Sequence, residues 1–325
     1  MPVNEKNLVS GLKSWLLNDD AFYSDIDDTQ RDQIDVFRTA VFIALHLGCL
    51  AVFFVGVSWV ALGLALFLYV SRMFFITAFY HRYFSHRTYQ VSRPIQFFMA
   101  LAGCTAGQRG PLWWGSHHRE HHLKSDTSED PHSPKNGMLN SHTLWFLKKA
   151  HFSMRQQRIR DMMKYPELLM LERVDWLPFM TLAASCFALG ELLSSVMPSL
   201  ATSGAQLLVW GFFVSTIALY HATYTINSLC HRYGRRRFNT GDDSRNNLLL
   251  ALLTLGEGWH NNHHAFPKSA RHGLRPMEID MTWMAIWTLK KLGLAKNIRV
   301  VKLKPSSNKT SIDSAFEGEM IKQAA

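Results

Sequence analysis

Residues 59–86 read WVALGLALFLYVSRMFFITAFYHRYFSH, an apolar run that ends in a pair of histidines, His81 and His86. The run is the second half of an apolar segment from Thr39 to Tyr80, which is interrupted near Gly56. Crossing a bilayer takes about 20 mostly apolar residues, so the segment is long enough for two helices joined by a tight turn. Two later blocks reach the same length. We therefore predict four membrane spans, at about 39–57, 58–80, 177–198 and 206–229.

Two further histidine clusters follow apolar segments, and their members are His118, His121 and His122 in one and His260, His263 and His264 in the other. Residues i, i+3 and i+4 share a face of an α-helix, so each cluster is predicted to converge on one point. His81 and His86 would lie about 140° apart on an ideal α-helix. They must therefore approach a site from different angles, unless the helix unwinds after Tyr80.

A fourth contribution comes from the end of the last predicted span, where Asn227 and His231 are four residues apart. Nine histidines and Asn227 are thereby predicted to meet just beneath the membrane surface. Neutral imidazole suits Fe, Zn, Cu and Ni, and one ion rarely takes more than six ligands. Nine histidines therefore predict two metal ions.

The basic residues indicate an orientation. Of the 35 Lys and Arg, fourteen lie in 81–175 and fourteen in 230–304, whereas the connection at 199–205 has none. Because positive charge stays on the cytoplasmic side of short loops, both termini and every histidine cluster are predicted to be cytoplasmic. The net charge of +10 favours anionic lipid headgroups or a phosphate-bearing substrate as partners. No nucleic-acid-binding motif is present, so nucleic acid is not an expected partner.

The rest of the chain divides into a polar cytosolic segment at 1–37, one domain at 38–304 and a polar, disordered tail at 305–325. Within the domain we predict an apolar interfacial helix at 94–109 and a basic cap at 123–175 with a helical stretch around Leu144 to Arg160. A second short apolar helix is expected at 246–258, and an amphipathic surface helix at about 275–303. The four cysteines form no C-x-x-C pair, so neither a thiolate metal site nor a disulfide framework is indicated.

The histidine pattern resembles that of membrane fatty acid desaturases, in particular the acyl-CoA Δ9 (stearoyl-CoA type) branch and its bacterial members. The family pattern is HxxxxH, HxxHH and HxxHH, which stands here at 81–86, 118–122 and 260–264. Asp130-Pro131-His132 and the run from Gly256 to His260 agree with it as well. The resemblance implies an all-α integral membrane protein, with four transmembrane helices and a cytosolic helical cap that holds a histidine-rich di-metal site.

The resemblance also implies roles for individual residues. Two irons would be held by His81, His86, His118, His121, His122, His231, His260, His263 and His264, with Asn227 acting through a water. Asp130 and His132 would support these ligands from behind. Lys148, Lys149 and Arg119 are candidates for binding the substrate headgroup, and Trp114 for lining an acyl tunnel. The implied reaction is O2-dependent formation of a cis double bond, at Δ9, in a saturated acyl chain.

Electrons must come from outside, because the sequence has no flavin, haem or iron–sulfur motif. A ferredoxin or cytochrome b5 type donor with its reductase is therefore implied, and the location implied is a bacterial inner membrane. Acyl-CoA is the favoured carrier of the acyl chain, although carrier protein and phospholipid remain open. The role of Arg72, an ionisable residue inside the second predicted span, is also open.

Two other functions remain. A related di-iron membrane hydroxylase or monooxygenase would share the histidine boxes, although the Asn227 motif favours a desaturase. A non-enzymatic metal-binding or metal-transporting membrane protein would place its ligands near the bilayer midplane, on broken helices. The histidines here lie at helix ends instead.

Overall fold

The computed structural model describes residues 17–22 and 32–301. The predicted tail at 305–325, and most of the polar segment at 1–37, lie outside the described residues. The α-helices and strands in chain order are α1 Asp19–Phe22, α2 Val36–Cys49, α3 Val52–Val55, α4 Trp59–Phe74, β1 Gln90–Val91, α5 Arg93–Cys104, α6 Pro111–Lys124, α7 Gln156–Met163, α8 Pro166–Arg173, α9 Trp176–Val196, α10 Gly204–Leu207, α11 Ser215–Ser228, α12 Leu248–Leu253, α13 His260–Ala265, α14 Met281–Lys291 and β2 Ala295–Lys296.

Four helical segments are long and apolar enough to cross a membrane: Val36–Val55, Trp59–Ser85, Trp176–Val196 and Gly204–His231. They agree with the four predicted spans. The first two are separated at Gly56, whose φ of 69° is a left-handed conformation that glycine adopts without steric cost. Phe53, Phe54 and Trp59 are at least 80% exposed around this turn. Large apolar side chains left uncovered on this scale are suited to lipid rather than water.

The chain folds into two compact units. The first comprises the residues up to Val70, Ala100–His117 and Phe146–Ile217. Its apolar core is formed by side chains from α4, α9 and the π-helical segment Leu208–Val214, namely Leu68, Phe179, Ala183, Cys186 and Phe212. Gly190 of α9 lies against the backbone of Ser203 and Gly204, where a β-carbon would overlap the Ser203 carbonyl. Glycine there allows α9 and α10 to approach closely.

The second unit comprises Ser71–Met99, His118–Trp145 and the chain from Ala218 onward. It opens with a buried π-helix, Phe75–Ser85, which continues α4 and carries His81. The His86 amide donates to the His81 carbonyl at 3.2 Å. This i→i+5 bond marks a π-helical turn, and the two rings lie 5.0 Å apart, centroid to centroid. The 140° separation expected on an α-helix is therefore wrong, because the helix widens at this point rather than unwinding.

Several predicted helices are shorter than expected. The stretch around Leu144 to Arg160 is a π turn, Asn140–Leu144, then 3₁₀ turns at Trp145–Leu147 and Lys149–His151, and only then α7. The helix predicted at 246–258 is α12, whose end at Leu253 leaves 254–259 as a turn. The surface helix at 275–303 is α14 alone. The chain then pairs as β2 with β1, Gln90 opposite Lys296, so the all-helical prediction missed a small antiparallel sheet.

Candidate metal centre

The nine predicted histidines all come together in the second unit, in two groups. The five-histidine group contains His81, His86, His118, His122 and His263, and the four-histidine group contains His121, His231, His260 and His264. Within each group, one ring nitrogen from every histidine lies within 4.8 Å of all the others. Each group is therefore arranged so that it could hold a metal ion.

Helix α6 contributes to both groups, which corrects the expectation that its three histidines converge on one point. His118 and His122 face the five-histidine group, and His121 faces the four-histidine group. Successive residues of an α-helix are about 100° apart, so His121 and His122 point in directions that differ by about 100°. That angle is too wide for adjacent side chains to share one ion.

Helix α13 is divided in the same way but with the opposite assignment. Its i, i+4 pair, His260 and His264, belongs to the four-histidine group, whereas His263 belongs to the five-histidine group. Each helix thus gives two histidines to one group and one to the other. The two groups are interlocked, and neither can form without both helices.

The nitrogen-to-nitrogen distances are those of ligands around a metal. The Nε2 atoms of His86 and His118 are 2.8 Å apart, and those of His81 and His263 are 2.9 Å apart. In the four-histidine group, the Nε2 atoms of His231 and His260 are 2.9 Å apart. Two nitrogens at right angles around an ion, with bonds of about 2.1 Å, lie about 3.0 Å apart. The spacing therefore matches adjacent positions on one ion.

Carboxylates hold the outer nitrogens of four of these histidines. The Nδ1 atom of His121 lies 3.0 Å from Oδ2 of Asp130. The Nδ1 atom of His231 lies 2.8 Å from Oδ2 of Asp126, and that of His264 lies 2.5 Å from Oδ2 of Asp242. In His81, Nδ1 contacts Oε2 of Glu257. A carboxylate accepts a hydrogen bond, so Nδ1 carries the proton and Nε2 keeps a lone pair. This tautomer is the one that binds a metal through Nε2.

The nitrogen atoms of the two groups also fit bound metal ions. Among the described residues, Nε2 of His264 is buried without a hydrogen-bond partner. Other Nε2 atoms of the two groups lie 2.8–2.9 Å from one another. In His81 and His231, Nε2 keeps its lone pair because Nδ1 carries the proton that contacts a carboxylate. A buried polar atom without a partner costs about 1–3 kcal/mol, and facing lone pairs repel. A cation between the nitrogens removes both penalties, so the residues present fit two metal ions.

Burial lowers the pKa of histidines in both groups, including His260 and His264 of the four-histidine group. Burial, followed by the neighbouring histidines, lowers the pKa of His86, His118, His122 and His263 well below the usual value. Burial acts in the same direction on His121, but Asp130, Asp126 and Asp242 together raise its pKa. Although burial raises the pKa of Asp126, the His231 contact lowers it to about 2. The carboxylates beside the four-histidine group therefore stay ionised at neutral pH.

The predicted supporting residues Asp130 and His132 lie at this site. Asp130 accepts from His121, and the His132 ring lies 4.2 Å from the His121 ring, centroid to centroid. For Asn227, the contact that the structure gives is through its backbone carbonyl, which accepts from Ser141 Oγ at 2.9 Å. No described contact brings the Asn227 side chain to either group, so its role through a water stays a prediction.

The predicted substrate residues have other partners. Arg119 donates from Nε and Nη2 to the carbonyls of Ser85 and Phe84, at 2.7 and 2.6 Å, and so caps the π-helix that carries His81. In the first unit, Trp114 donates to Gln108 at 3.4 Å.

Lys148 and Lys149 also lie in the first unit. Lys148 pairs with Asp32 at 2.9 Å, and Lys149 donates to Gln33 at 3.0 Å. Their role in binding substrate stays a prediction.

The buried groups around Glu257 were not predicted from the sequence to have a role. Arg82, which is fully buried, lies 3.3 Å from Glu257 Oε1 and 3.1 Å from Asp280 Oδ1. Its Nη2 atom is also 3.0 Å from Nδ1 of His272. Asp126 lies four residues after His122 and Glu257 three residues before His260, and that proximity was the available signal. Asp242 lies 18 residues before His260, so no such signal marked it.

A helical chain with four segments able to span a membrane, and with two histidine groups that could each hold a metal ion, has the features of a membrane metalloprotein. The family model for fatty acid desaturases matches residues 57–281, and the chain belongs to that family.

Similar proteins act on different substrates. An sn-1 stearoyl-lipid 9-desaturase of Anabaena variabilis is 38% identical over 86% of this chain and 99% of its own length. An acyl-CoA 5-desaturase of Anemone leveillei is 39% identical over 82% of this chain and 80% of its own. A palmitoyl-monogalactosyldiacylglycerol delta-7 desaturase of Arabidopsis thaliana is 36% identical over 82% and 69%. The protein is therefore a membrane oxidoreductase that desaturates fatty acyl chains.

Proposed function

We propose that the protein is an O2-dependent di-iron desaturase that introduces a cis double bond at Δ9 of saturated acyl chains. The observation that carries the proposal is the division of nine histidines into two interlocked groups, with Nε2 atoms 2.8–2.9 Å apart inside each group. Bound iron would supply the O2-derived oxidant that an unactivated CH2–CH2 unit requires. Family membership favours this reaction over hydroxylation and over metal binding without catalysis.

The chain's own residues would hold and insulate that centre. The five-histidine group would bind one iron and the four-histidine group the other, with Asn227 acting through a water. Asp126, Asp130, Asp242 and Glu257 fix the tautomer of the histidines that they contact. Five of the nine histidines are buried and the other four are half-buried, which limits the access of bulk water and so protects a reactive oxidant from side reactions.

The Δ9 position is proposed on the strength of the resemblance, and one similar protein carries that position in its name. Acyl-CoA is the carrier that we propose first, with Lys148 and Lys149 contacting its phosphates. Acyl lipid is the second candidate. It is favoured by the fact that both lysines already have partners in the structure, Asp32 and Gln33.

We also propose that the protein lies in a bacterial inner membrane with both termini and the histidine groups on the cytoplasmic side. This follows from the 28 Lys and Arg in the two segments that carry the histidines. On that side a ferredoxin or cytochrome b5 type donor, reduced by its reductase, would have access.

Fatty acid analysis tests the proposal. The chain is expressed in a host that lacks its own desaturase, and cellular fatty acids are analysed by gas chromatography and mass spectrometry after derivatisation at the double bond. We expect new cis-9 monounsaturated C16 or C18 chains. Hydroxylated chains would contradict desaturation, and a double bond elsewhere would contradict Δ9.

Variants on one helix provide a matched control. His121→Gln should abolish the product, whereas His117→Gln should keep it, because the His117 ring lies outside both groups and contacts the Ser153 carbonyl at 3.1 Å. The carrier is then tested with purified protein in nanodiscs, supplied with stearoyl-CoA or with an sn-1 stearoyl lipid. Product from the lipid alone would replace acyl-CoA by the second candidate.

A further inference from the structure

An arginine-rich surface lies beside the four-histidine group. Arg232, Arg235 and Arg236 are exposed, and Arg245 is half-buried next to them, donating to the Gly234 carbonyl at 3.5 Å. Arg236 has Asp243 at 3.7 Å, but Arg232 and Arg235 have no carboxylate partner among the residues that the structure describes. We call Arg232, Arg235, Arg236 and Arg245 the arginine surface.

Short connections join this surface to the four-histidine group. Arg236 Nη2 donates to the carbonyl of Asp242 at 2.6 Å, and the carboxylate of Asp242 accepts from His264. Arg232 directly follows His231 in the chain. The amide of Arg245 donates to the carbonyl of Cys230 at 2.7 Å. The surface is therefore joined to His231 directly along the chain, through Arg232, and to His264 through one intervening residue, Asp242.

The five-histidine group has a different outer wall. Behind His81 lies a network of charged and polar side chains that are at most 6% exposed, namely Arg82, Glu257, His272 and Asp280. The arginine surface therefore gives a cationic approach to the centre on the side of the four-histidine group. A partner that must come close to the centre without entering it would find complementary charge there.

We propose that the arginine surface is the docking site for an acidic, one-electron carrier protein. The inference rests on the proposed function, which sets the electron requirement. Forming one double bond removes two hydrogen atoms from the acyl chain, and reducing one O2 to two water molecules takes four electrons and four protons. The acyl chain supplies two of each, solvent supplies two protons, and two reduced carriers lose one electron each.

The chemistry of the surface favours a protein over lipid. Tyr233 lies in its middle, 53% exposed, with the Arg232 guanidinium 5.7 Å from the ring centroid. Arginine and tyrosine are the residues enriched where proteins meet. Clustered positive charge also attracts an acidic carrier at long range and raises its association rate. An anionic lipid headgroup would need neither the exposed tyrosine nor the connection to His264.

The test compares two double variants that remove the same charge. Arg232→Gln/Arg235→Gln alters the arginine surface, and Arg160→Gln/Lys164→Gln alters exposed cations of the first unit. The full chain in phosphatidylcholine nanodiscs is loaded with iron and supplied with an acidic [2Fe–2S] ferredoxin and its reductase. We expect kcat/KM for ferredoxin to fall about tenfold at low ionic strength in the first variant only. The difference should vanish in high salt.

Three further readouts decide the interpretation. The Kd of ferredoxin, measured by biolayer interferometry without turnover, should rise about tenfold in the first variant. After chemical reduction by dithionite, a single turnover with O2 should give the same product in both variants and in the unchanged chain. The KM for the acyl substrate should not change. These results would support docking at the arginine surface.

Other outcomes would overturn the proposal. Equal losses in the two variants would indicate a general charge effect, and a loss after chemical reduction would indicate damage to the centre. Lipid would be the partner if two results were found together. Ferredoxin kinetics would be unchanged, and the thermal midpoint would depend on phosphatidylglycerol only in the chain that keeps the arginines. If no reductant gives product, the proposed function has failed, while the ferredoxin Kd still decides the docking proposal.

Discussion

The two histidine groups are built from the same helices but differ in what lies behind them. Three of the four members of the four-histidine group contact aspartates, which are Asp126, Asp130 and Asp242. In the five-histidine group, one carboxylate, Glu257, contacts His81, and the buried Arg82 lies 3.3 Å from it. The four-histidine group is thus backed by three aspartates, and the five-histidine group by a network in which Arg82 partly offsets the charge of Glu257 and Asp280.

The difference indicates that the two groups would hold their ions by different means. Ionised carboxylates raise the basicity of the histidines that they hold and stabilise a positive ion in front of them. The four-histidine group should therefore hold its ion through charge, and the five-histidine group through the number of its nitrogens.

Removing one histidine from either group should abolish desaturation. In His263→Ala and in His264→Ala, we expect product to fall at least a hundredfold, because each change removes one nitrogen from a different ion. Iron content per chain, measured by plasma mass spectrometry, should drop from about two to about one in each variant. Full activity in either variant would exclude that histidine from the centre.

Breaking the buried network should mainly affect folding. Arg82→Gln leaves the carboxylates of Glu257 and Asp280 buried without their cation, which should cost about 3–5 kcal/mol of the free energy of unfolding. The thermal midpoint in detergent should fall sharply, and Arg82→Lys should recover part of it. Arg299→Gln serves as a surface control. An unchanged midpoint in Arg82→Gln would mean that the network contributes little.

Neutralising one aspartate should weaken the four-histidine group selectively. Asp242→Asn keeps the shape of the contact with His264 but removes the charge, so we expect iron affinity to fall about 10- to 100-fold. Asp243→Asn is the matched control, since its side chain pairs instead with Lys135 at 3.2 Å. A chelator competition assay measures the two affinities. Equal affinities would contradict the assigned role of the carboxylates.

Acid should destabilise the metal-free chain. Burial lowers the pKa of His264 to about 4, against about 6.5 in an unfolded chain. Between these values the unfolded state binds the proton and the folded state does not, so stability falls as the pH is lowered from 6.5 towards 4. The lowered pKa values of His86, His118, His122 and His263 act in the same direction.

The pH series also distinguishes the aspartates. The contribution of Asp126, whose pKa is about 2, is present above its unfolded pKa near 3.8 and is lost only as the pH falls below that value. Thermal midpoints of chelator-treated protein between pH 7.5 and 4.5 should therefore report the histidines. A flat profile over this range would show that the histidines are not buried in their neutral form.

The smallest effect is expected outside both groups. If acyl-CoA is the carrier, Lys149→Ala should raise KM for stearoyl-CoA about two- to fivefold with little change in kcat, because an exposed cation contributes under about 1 kcal/mol. Lys164→Ala is the control. Unchanged kinetics in Lys149→Ala would favour the acyl-lipid alternative.

Much of the fold and the histidine set followed from local pattern. The spans were predictable because the length of an apolar run is a local property, and the end of each run could be read within a few residues. The nine histidines were predictable as a set because their spacing repeats. The π-helix at Phe75–Ser85 was not, since i→i+5 bonding leaves no simple periodic signal in the sequence.

The assignment of histidines to groups required the tertiary structure. On α6 alone, His118 lies between the directions of His121 and His122, and the sequence cannot say on which side each ion lies. Asp130 was predicted, but the contacts of Asp126 and Asp242 were hidden for a similar reason. Asp126 contacts His231 across 105 positions, and Asp242 contacts His264 across 22, so no spacing rule joins them.

The central claim is that the histidines hold two ions, one in each group. Anomalous diffraction at the iron absorption edge, from crystals of the iron-loaded protein, tests it most directly. We predict two peaks, one among His81, His86, His118, His122 and His263 and the other among His121, His231, His260 and His264. A single peak shared by both groups, or a peak that lies outside them, would contradict the account.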